Sequence, residues 1–375
     1  MKVMLLSGAN TIHTQRWANG LVAAGVSTVC VSQHEFLANG WDDRIERVRL
    51  PRVPMLGYLT NGGNVARQFV ERGCDLLNAH YATGYGLLAL RSGVRPWVMS
   101  VWGSDVYDFP ATSPLHRQLV RTTLRSADAV ASTSHAMARQ VEALMGHRPL
   151  RDQIAITPFG VDSRRFTAER PINVQSRRPL VIGTVKKLEP KYGIDTLIRG
   201  FAMLKQSNDR EMPVLRLVGE GGQRPELQAL VADLGLGARV QFVGAVAHSV
   251  VPDELRGFDV FAAVSRLDSE SFGVSAIEAS ACGLPVVVSD AGGLPEVVRD
   301  GKTGLVVARE DPVALARALQ RLLDDPALRE RLGRAGRDHV QAHYEWDACV
   351  QRMIALYQRV AHQATVGRSA VESVQ

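Results

Sequence analysis

Short apolar runs that end at a glycine or polar turn, each followed by a stretch with helical spacing, recur along this chain of 375 residues, and that alternation leaves few folds open. Lys2-Val-Met-Leu-Leu-Ser7 runs into Gly8-Ala-Asn10. Ile12 to Ala24 then places Ile12, Trp17, Leu21 and Val22 at helical spacing, Gly25 stops it, and Val26 to Val31 is apolar again. A strand, a crossover helix and a second strand pair in parallel, and such a sheet takes its ligands at the carboxyl ends of its strands. Gly8, Asn10 and His13 stand at one of those ends. The dinucleotide fingerprint G-x-G-x-x-G is absent there, which counts against a nicotinamide oxidoreductase.

The alternation continues with strands at Asp75–His80, Trp97–Val101, Ala129–Ser132 and Ile154–Thr157. Residues 35–72, with Arg44, Arg47, Arg49, Arg52 and Asn61-Gly-Gly63, read as a basic connection between sheet elements or a membrane-facing lip. Ser163 to Pro179 is polar, arginine-rich and unpatterned, as a linker would be. A second alternation opens at Leu180–Val185 and ends in helices at 313–323, 327–336 and 347–358, with a polar tail from Thr365 expected to fray. Each half is long enough to bury a core of its own. The prediction is an α/β protein of two Rossmann-like, doubly wound domains, 1–162 and 180–344, facing a central cleft.

Composition narrows the class. With 46% hydrophobic and 22% charged residues, and no apolar run of about 18 or a leader-like start, the chain reads as a soluble cytoplasmic protein. Its net charge of +6 favours peripheral contact with anionic lipid on the inner face of the plasma membrane. Nucleic acid is disfavoured because no basic run carries interleaved aromatics. Cys30, Cys74, Cys282 and Cys349 show no C-x2-C spacing and read as buried thiols.

Chemistry concentrates in Val264-Ser-Arg-Leu-Asp268-Ser-Glu270-Ser-Phe-Gly273-Val-Ser-Ala-Ile-Glu278. Glu270 falls in a loop after the short strand Phe258–Val264, and Ser271 and Gly273 stand where an N-cap and a close backbone approach are needed. On a helix starting near Phe272, Val274, Ile277, Glu278 and Ala281 share one stripe, so Glu278 faces the apolar side and needs a partner. A helix start also favours phosphate. Taken alone, a Glu-x7-Glu spacing is commonplace.

The run Glu270 to Ala279, with Cys282-Gly283-Leu-Pro285, Gly292-Gly293-Leu-Pro-Glu296 and Gly301-Lys-Thr-Gly304, resembles the donor-binding half of family 4 glycosyltransferases, retaining enzymes of the GT-B fold. Pro158-Phe-Gly160-Val-Asp162 resembles the turn that ends their acceptor half. The resemblance implies that the last helix, about 345–364, crosses back onto the first domain. It implies that Glu270 contacts sugar hydroxyls, Glu278 the ribose, and the turn Ser271-Phe272-Gly273-Val274 the diphosphate. Gly219-Glu-Gly221-Gly222 is similar to the family's turn near the nucleotide. In the family motif G-R-L-x-x-x-K-G an Arg and a Lys hold the diphosphate; in Gly183-Thr-Val-Lys186-Lys187-Leu-Glu-Pro-Lys191-Tyr192-Gly193 the Arg position is met by Lys187, with Lys186 second. The Lys position falls on Tyr192 without a gap or on Lys191 if the turn differs by one residue, so the resemblance assigns the diphosphate charge to Lys187 with Lys191.

Where many members carry a His, this chain has Trp102, so that role is not carried over. Asp105 is the nearest polar candidate for catalysis, with His80 and Tyr81 at the neighbouring strand end. The implied reaction is metal-independent and cofactor-free transfer of a hexose from a nucleotide-sugar donor, UDP-sugars being favoured over GDP-mannose on family frequency. The acceptor is a glycan or lipid-linked molecule of cell-surface assembly. The alternative is a sugar-nucleotide-binding scaffold without transfer activity.

Overall fold

In the computed structural model, residues 1–51, 56–146, 154–169, 179–206 and 211–372 are described, with side chains as far as residue 366. They form two compact units, one of residues 1–158 with 347–375 and one of residues 159–346.

The first unit runs β1 (Lys2–Leu6), α1 (Ile12–Ala23), β2 (Ser27–Ser32), β3 (Glu46–Arg49), α2 (Gly57–Thr60), α3 (Gly62–Glu71) and β4 (Leu76–His80). It continues α4 (Gly84–Ser92), β5 (Trp97–Ser100), α5 (Asp108–Ala111), α6 (Pro114–Ser126), β6 (Ala129–Ser132), α7 (His135–Met145) and β7 (Ile154–Ile156). The seven strands are parallel, in the order β3-β2-β1-β4-β5-β6-β7. Central strands β1, β4, β5 and β6 are buried almost throughout, because helices cover both faces of the sheet. Met4, Leu77, Trp97, Met99 and Val130 anchor the core.

The second unit holds β8 (Val181–Val185), a 3-10 turn at Pro190–Tyr192, α8 (Ile194–Ala202), β9 (Val214–Val218), α9 (Arg224–Asp233), β10 (Val240–Gly244), α10 (Val251–Arg256) and β11 (Val260–Ala263). Then come α11 (Val274–Ala281), β12 (Val286–Ser289), α12 (Leu294–Val297), β13 (Leu305–Val307), α13 (Pro312–Asp324) and α14 (Pro326–His343). Its six parallel strands are ordered β10-β9-β8-β11-β12-β13 around a core that includes Ile182, Phe201, Leu217, Ala262 and Val287. The last helix, α15 (Trp346–Glu372), belongs to the first unit from Asp347 onward, and the buried Tyr357 hydroxyl donates to Asn78 Oδ1 of β4 at 2.7 Å.

Three sequence expectations change. Residues 35–72 are not merely a connection: they supply β3, α2 and α3. Edge strand β3 is mostly exposed and so carries no apolar run to betray it. Its surroundings neutralise the basic residues locally, since Arg44 pairs with Asp42, Arg49 with Glu35, and Lys2 and Arg72 with Glu46, while Arg52 lies outside the described residues. Of the linker, 170–178 lies outside the described residues; within its described start, Phe166 is buried and its carbonyl accepts from Arg337 at 3.1 Å. The tail does not fray at Thr365; α15 extends to Glu372.

Candidate active site

In both sheets the chain builds outward from its first strand, then returns to that strand's other side. The reversal falls between β8 and β11 in the second unit and between β1 and β4 in the first. At such a switch point the two neighbouring loops diverge and leave a crevice at the carboxyl ends of the strands.

At the β8/β11 reversal the crevice is charged. Lys186, directly after β8, donates from Nζ to Glu270 Oε2 at 2.7 Å, and Ser265 Oγ, two residues after β11, donates to the same oxygen at 3.1 Å. The side chains of the pair are only 11% and 9% exposed. Lys186 Nζ also lies 5.0 Å from the centre of the Tyr192 ring, and Lys191 Nζ lies 4.9 Å from the same ring. Backbone geometry holds the ammonium in place. The Lys186 N–H bonds Val218 O at 3.0 Å, and Gly219, with φ of 143°, comes so close that a Cβ would sit 1.9 Å from the Lys186 carbonyl. Gly221 is packed in the same way against the Leu188 carbonyl.

Lys187, the first choice from the family motif, is corrected by the structure: it points away from Glu270, its side chain 72% exposed and 3.6 Å from Glu189, and Lys186 takes the place beside Glu270. The two carboxylates of Asp268-Ser-Glu270 are separately paired, Asp268 with Arg309 at 2.9 Å and Glu270 with Lys186.

One correction concerns the start of α11. Gly273, not Ser271, is the N-cap; its φ of 98° is left-handed and no side chain caps the helix. Val274 opens the helix, and Ser275 Oγ in its first turn is buried without a hydrogen-bond partner among the described residues. The Phe272 side chain is core, packed against Phe159 and Tyr344, so only its backbone can serve a ligand. Further along α11, Glu278 is 4% exposed, and its Oε1 accepts from His248 Nε2 at 2.9 Å. His248 in turn lies 5.8 Å from the Phe166 ring, and its carbonyl accepts from Arg165.

At the β1/β4 reversal the crevice is aromatic. Gly8 and the exposed Asn10 form the β1 turn, and His13 sits in the first turn of α1, its ring 5.9 Å from that of Trp102. Asp105 does not have the geometry of a catalytic acid or base. It is 1% exposed, Oδ2 accepts from Ala82 N at 2.8 Å, and Oδ1 accepts from Gly103 N at 2.8 Å and Trp102 N at 3.1 Å. Burial raises its affinity for a proton while those backbone bonds oppose the rise. His80, fully enclosed, is driven down to about 3 by burial.

His248 and Ser275 were missed from sequence. No local pattern marks His248, which reaches Glu278 across thirty positions of chain. Ser265, a polar residue ending an apolar strand, carried a signal that could have been used.

The family models agree with this architecture. "Glycosyl transferase 4-like" matches residues 2–134, and "Glycosyl transferases group 1" matches residues 166–339. A GDP-mannose-dependent monoacylated alpha-(1-6)-phosphatidylinositol monomannoside mannosyltransferase of Corynebacterium glutamicum is 31% identical over 329 residues, covering 84% of either chain. This chain belongs to the group 1 glycosyltransferases. A GDP-mannose-dependent alpha-(1-6)-phosphatidylinositol monomannoside mannosyltransferase of Mycolicibacterium smegmatis is 33% identical to this glycosyltransferase, over 87% of its chain and 89% of the relative's. Sucrose-phosphate synthase from Thermosynechococcus elongatus superposes with a TM-score of 0.82 at 25% identity, over 96% of this chain and 98% of that one. Anabaena HepE in complex with UDP-glucose gives 0.79 at 20% identity, over 96% and 100%. The fold is GT-B, and the chain is an enzyme of glycosyl transfer.

Proposed function

We propose that the β8/β11 crevice takes a nucleoside-diphosphate sugar and that the enzyme transfers its hexose, with retention and without a metal, to a glycan or lipid-linked acceptor. The observation that carries this reading is the buried Lys186–Glu270 pair beside an uncapped helix start. Free N–H groups and the positive end of α11 suit the diphosphate, and Lys186 supplies the cation that charge building on the leaving group demands. When diphosphate draws the ammonium away, Glu270 is left to accept hydrogen bonds from the sugar hydroxyls. Glu278, held by His248, accepts from the ribose hydroxyls.

In the step itself the acceptor oxygen bonds to the anomeric carbon on the face from which the diphosphate departs. The carbon–oxygen bond to the diphosphate breaks, and a diphosphate oxygen takes the acceptor's proton. For the donor, relatives named as GDP-mannose-dependent favour GDP-mannose over the UDP-sugar suggested by family frequency. Their names also favour a phosphatidylinositol-type acceptor, reached from the cytoplasmic face of a membrane. No helix among the described residues is long and apolar enough to span a bilayer, whereas α6 exposes Leu115 beside Arg117, which suits peripheral contact with anionic lipid.

Calorimetry of the full chain against GDP-mannose, UDP-glucose and NAD in EDTA tests the reading. Saturable binding of GDP-mannose, followed by transfer to a phosphatidylinositol mannoside, is the expected result. Tight binding with neither transfer nor donor hydrolysis is the outcome that replaces the enzyme mechanism by the scaffold, and binding of NAD alone overturns both.

A further inference from the structure

The first unit's switch point carries rings in place of charges. Around Trp102 stand His80 at 4.7 Å, Tyr81 at 5.1 Å and His13 at 5.9 Å between ring centres, the first tilted and the other two edge-on. They come from the ends of β4 and β5 and from the first turn of α1, so three separate loops meet at one indole. His80 is buried, whereas His13, Tyr81 and Trp102 are half-buried and present a surface.

Two features show that this arrangement is held against a cost. Tyr81 has φ of 71°, a left-handed conformation that a non-glycine residue keeps only when its surroundings enforce it. Enforcement comes from the Tyr81 N–H bonded to Ser100 O, and from Asp105, whose two oxygens clasp the loop after β4 through Ala82 and the loop after β5 through Trp102 and Gly103. Among the described residues this buried carboxylate is met by backbone N–H groups and not by an ion pair, and it holds the two aromatic loops in register.

We propose that Trp102, backed by His80 and flanked by Tyr81 and His13, is a shelf for the flat face of a polyhydroxylated ring, a pyranose or cyclitol, and that Asp105 is its positioning residue. The inference rests on the glycosyltransferase reading, which supplies such rings on both substrates. An indole face matches the C–H face of a ring whose hydroxyls point outward, while the half-buried Tyr81 and His13 add polar groups beside it; His13 Nδ1 itself is buried.

The test uses the full chain, with myo-inositol, methyl α-D-mannopyranoside, GDP and GDP-mannose as probes in calorimetry and saturation-transfer NMR. Trp102→Ala is expected to raise the dissociation constant of at least one ring probe tenfold or more, or else that of GDP-mannose, while GDP is unchanged. Trp102→Phe should keep most of the affinity. A loss confined to the free rings assigns the shelf to the acceptor, and a loss of GDP-mannose relative to GDP assigns it to the transferred sugar. Asp105→Asn should weaken the same probe as Trp102→Ala, without altering GDP. Equal affinities of wild type and Trp102→Ala for every ring-bearing probe overturn the shelf, as does weakened GDP, which would make it a base-stacking site. Wild type that binds free rings but no sugar nucleotide sinks the function proposed above and leaves the shelf standing.

Discussion

The two units use the same topological device and dress it differently. At β8/β11 the reversal gathers Lys186, Glu270 and, one helix further, His248 with Glu278; at β1/β4 it gathers Trp102, Tyr81, His13 and His80. On the proposed reading, each choice suits what its crevice would hold. A diphosphate is recognised by charge and by free N–H groups, which gain strength where water is thinned out. A neutral ring offers no charge, so its recognition depends on shape and on a rigid apolar face. Buried acids differ accordingly: Glu270 is paired with a side-chain cation at 2.7 Å, whereas Asp105 is met by the backbone N–H groups of Ala82, Trp102 and Gly103.

The sharpest way to break this contrast is Lys186→Met. Removing the cation should cost about 3 kcal/mol of transition-state stabilisation, a fall on the order of 100-fold in kcat with a smaller change in donor affinity. Glu270 loses its partner in that variant, so thermal unfolding must show that the fold survives. A folded Lys186→Met enzyme of normal kcat would remove charge from the mechanism.

Acid acts on the other unit. His80 is held neutral, its Nδ1 accepting from Ser7 Oγ and its Nε2 bonded to Asn78 Oδ1, which also takes the Tyr357 hydroxyl. With a folded-state pKa of about 3 against an ordinary value of 6.5, the neutral ring contributes stability that is fully present above pH 6.5 and lost as pH falls toward 3. Between pH 8 and pH 5 the first unit should lose about 2 kcal/mol from this group. Denaturant unfolding of wild type and His80→Gln at both pH values reads the difference; equal pH dependence in the two proteins would clear His80.

A smaller effect is expected at Glu278→Ala, which removes the acceptor assigned to the ribose and strands His248. Donor binding should weaken by about 1.5 kcal/mol, roughly tenfold, with kcat little altered. If turnover falls and binding does not, Glu278 and Glu270 have exchanged roles.

Much of this contrast was visible before any coordinates. Apolar runs ending at Gly8, Gly219 and the Ser265 loop mark strand ends, and Glu278 on an apolar helix stripe announces a missing partner. What could not be read was pairing across the fold. His248 meets Glu278 because the loop after β10 packs over α11, and β3 hides because an edge strand needs no apolar face. Asp105 looked catalytic because a polar residue at a strand end has two possible duties, and only the three backbone donors around it decide between them.

Lys187 gives the smallest and most discriminating test. Adjacent residues of an extended chain point to opposite sides, so as β8 ends only one of two neighbouring lysines can turn toward the β11 loop. The family motif favours Lys187; the sheet instead turns Lys186 toward Glu270 and leaves Lys187 in solvent beside Glu189. An exposed pair of that kind is worth little, so Lys187→Ala should change stability and transition-state binding by no more than about 0.5 kcal/mol. Steady-state kinetics of Lys187→Ala beside Lys186→Met therefore measures how sharply the switch point distinguishes two identical side chains. Comparable losses in both would mean that the ammonium serving the diphosphate is supplied by the turn as a whole and not by the residue paired with Glu270.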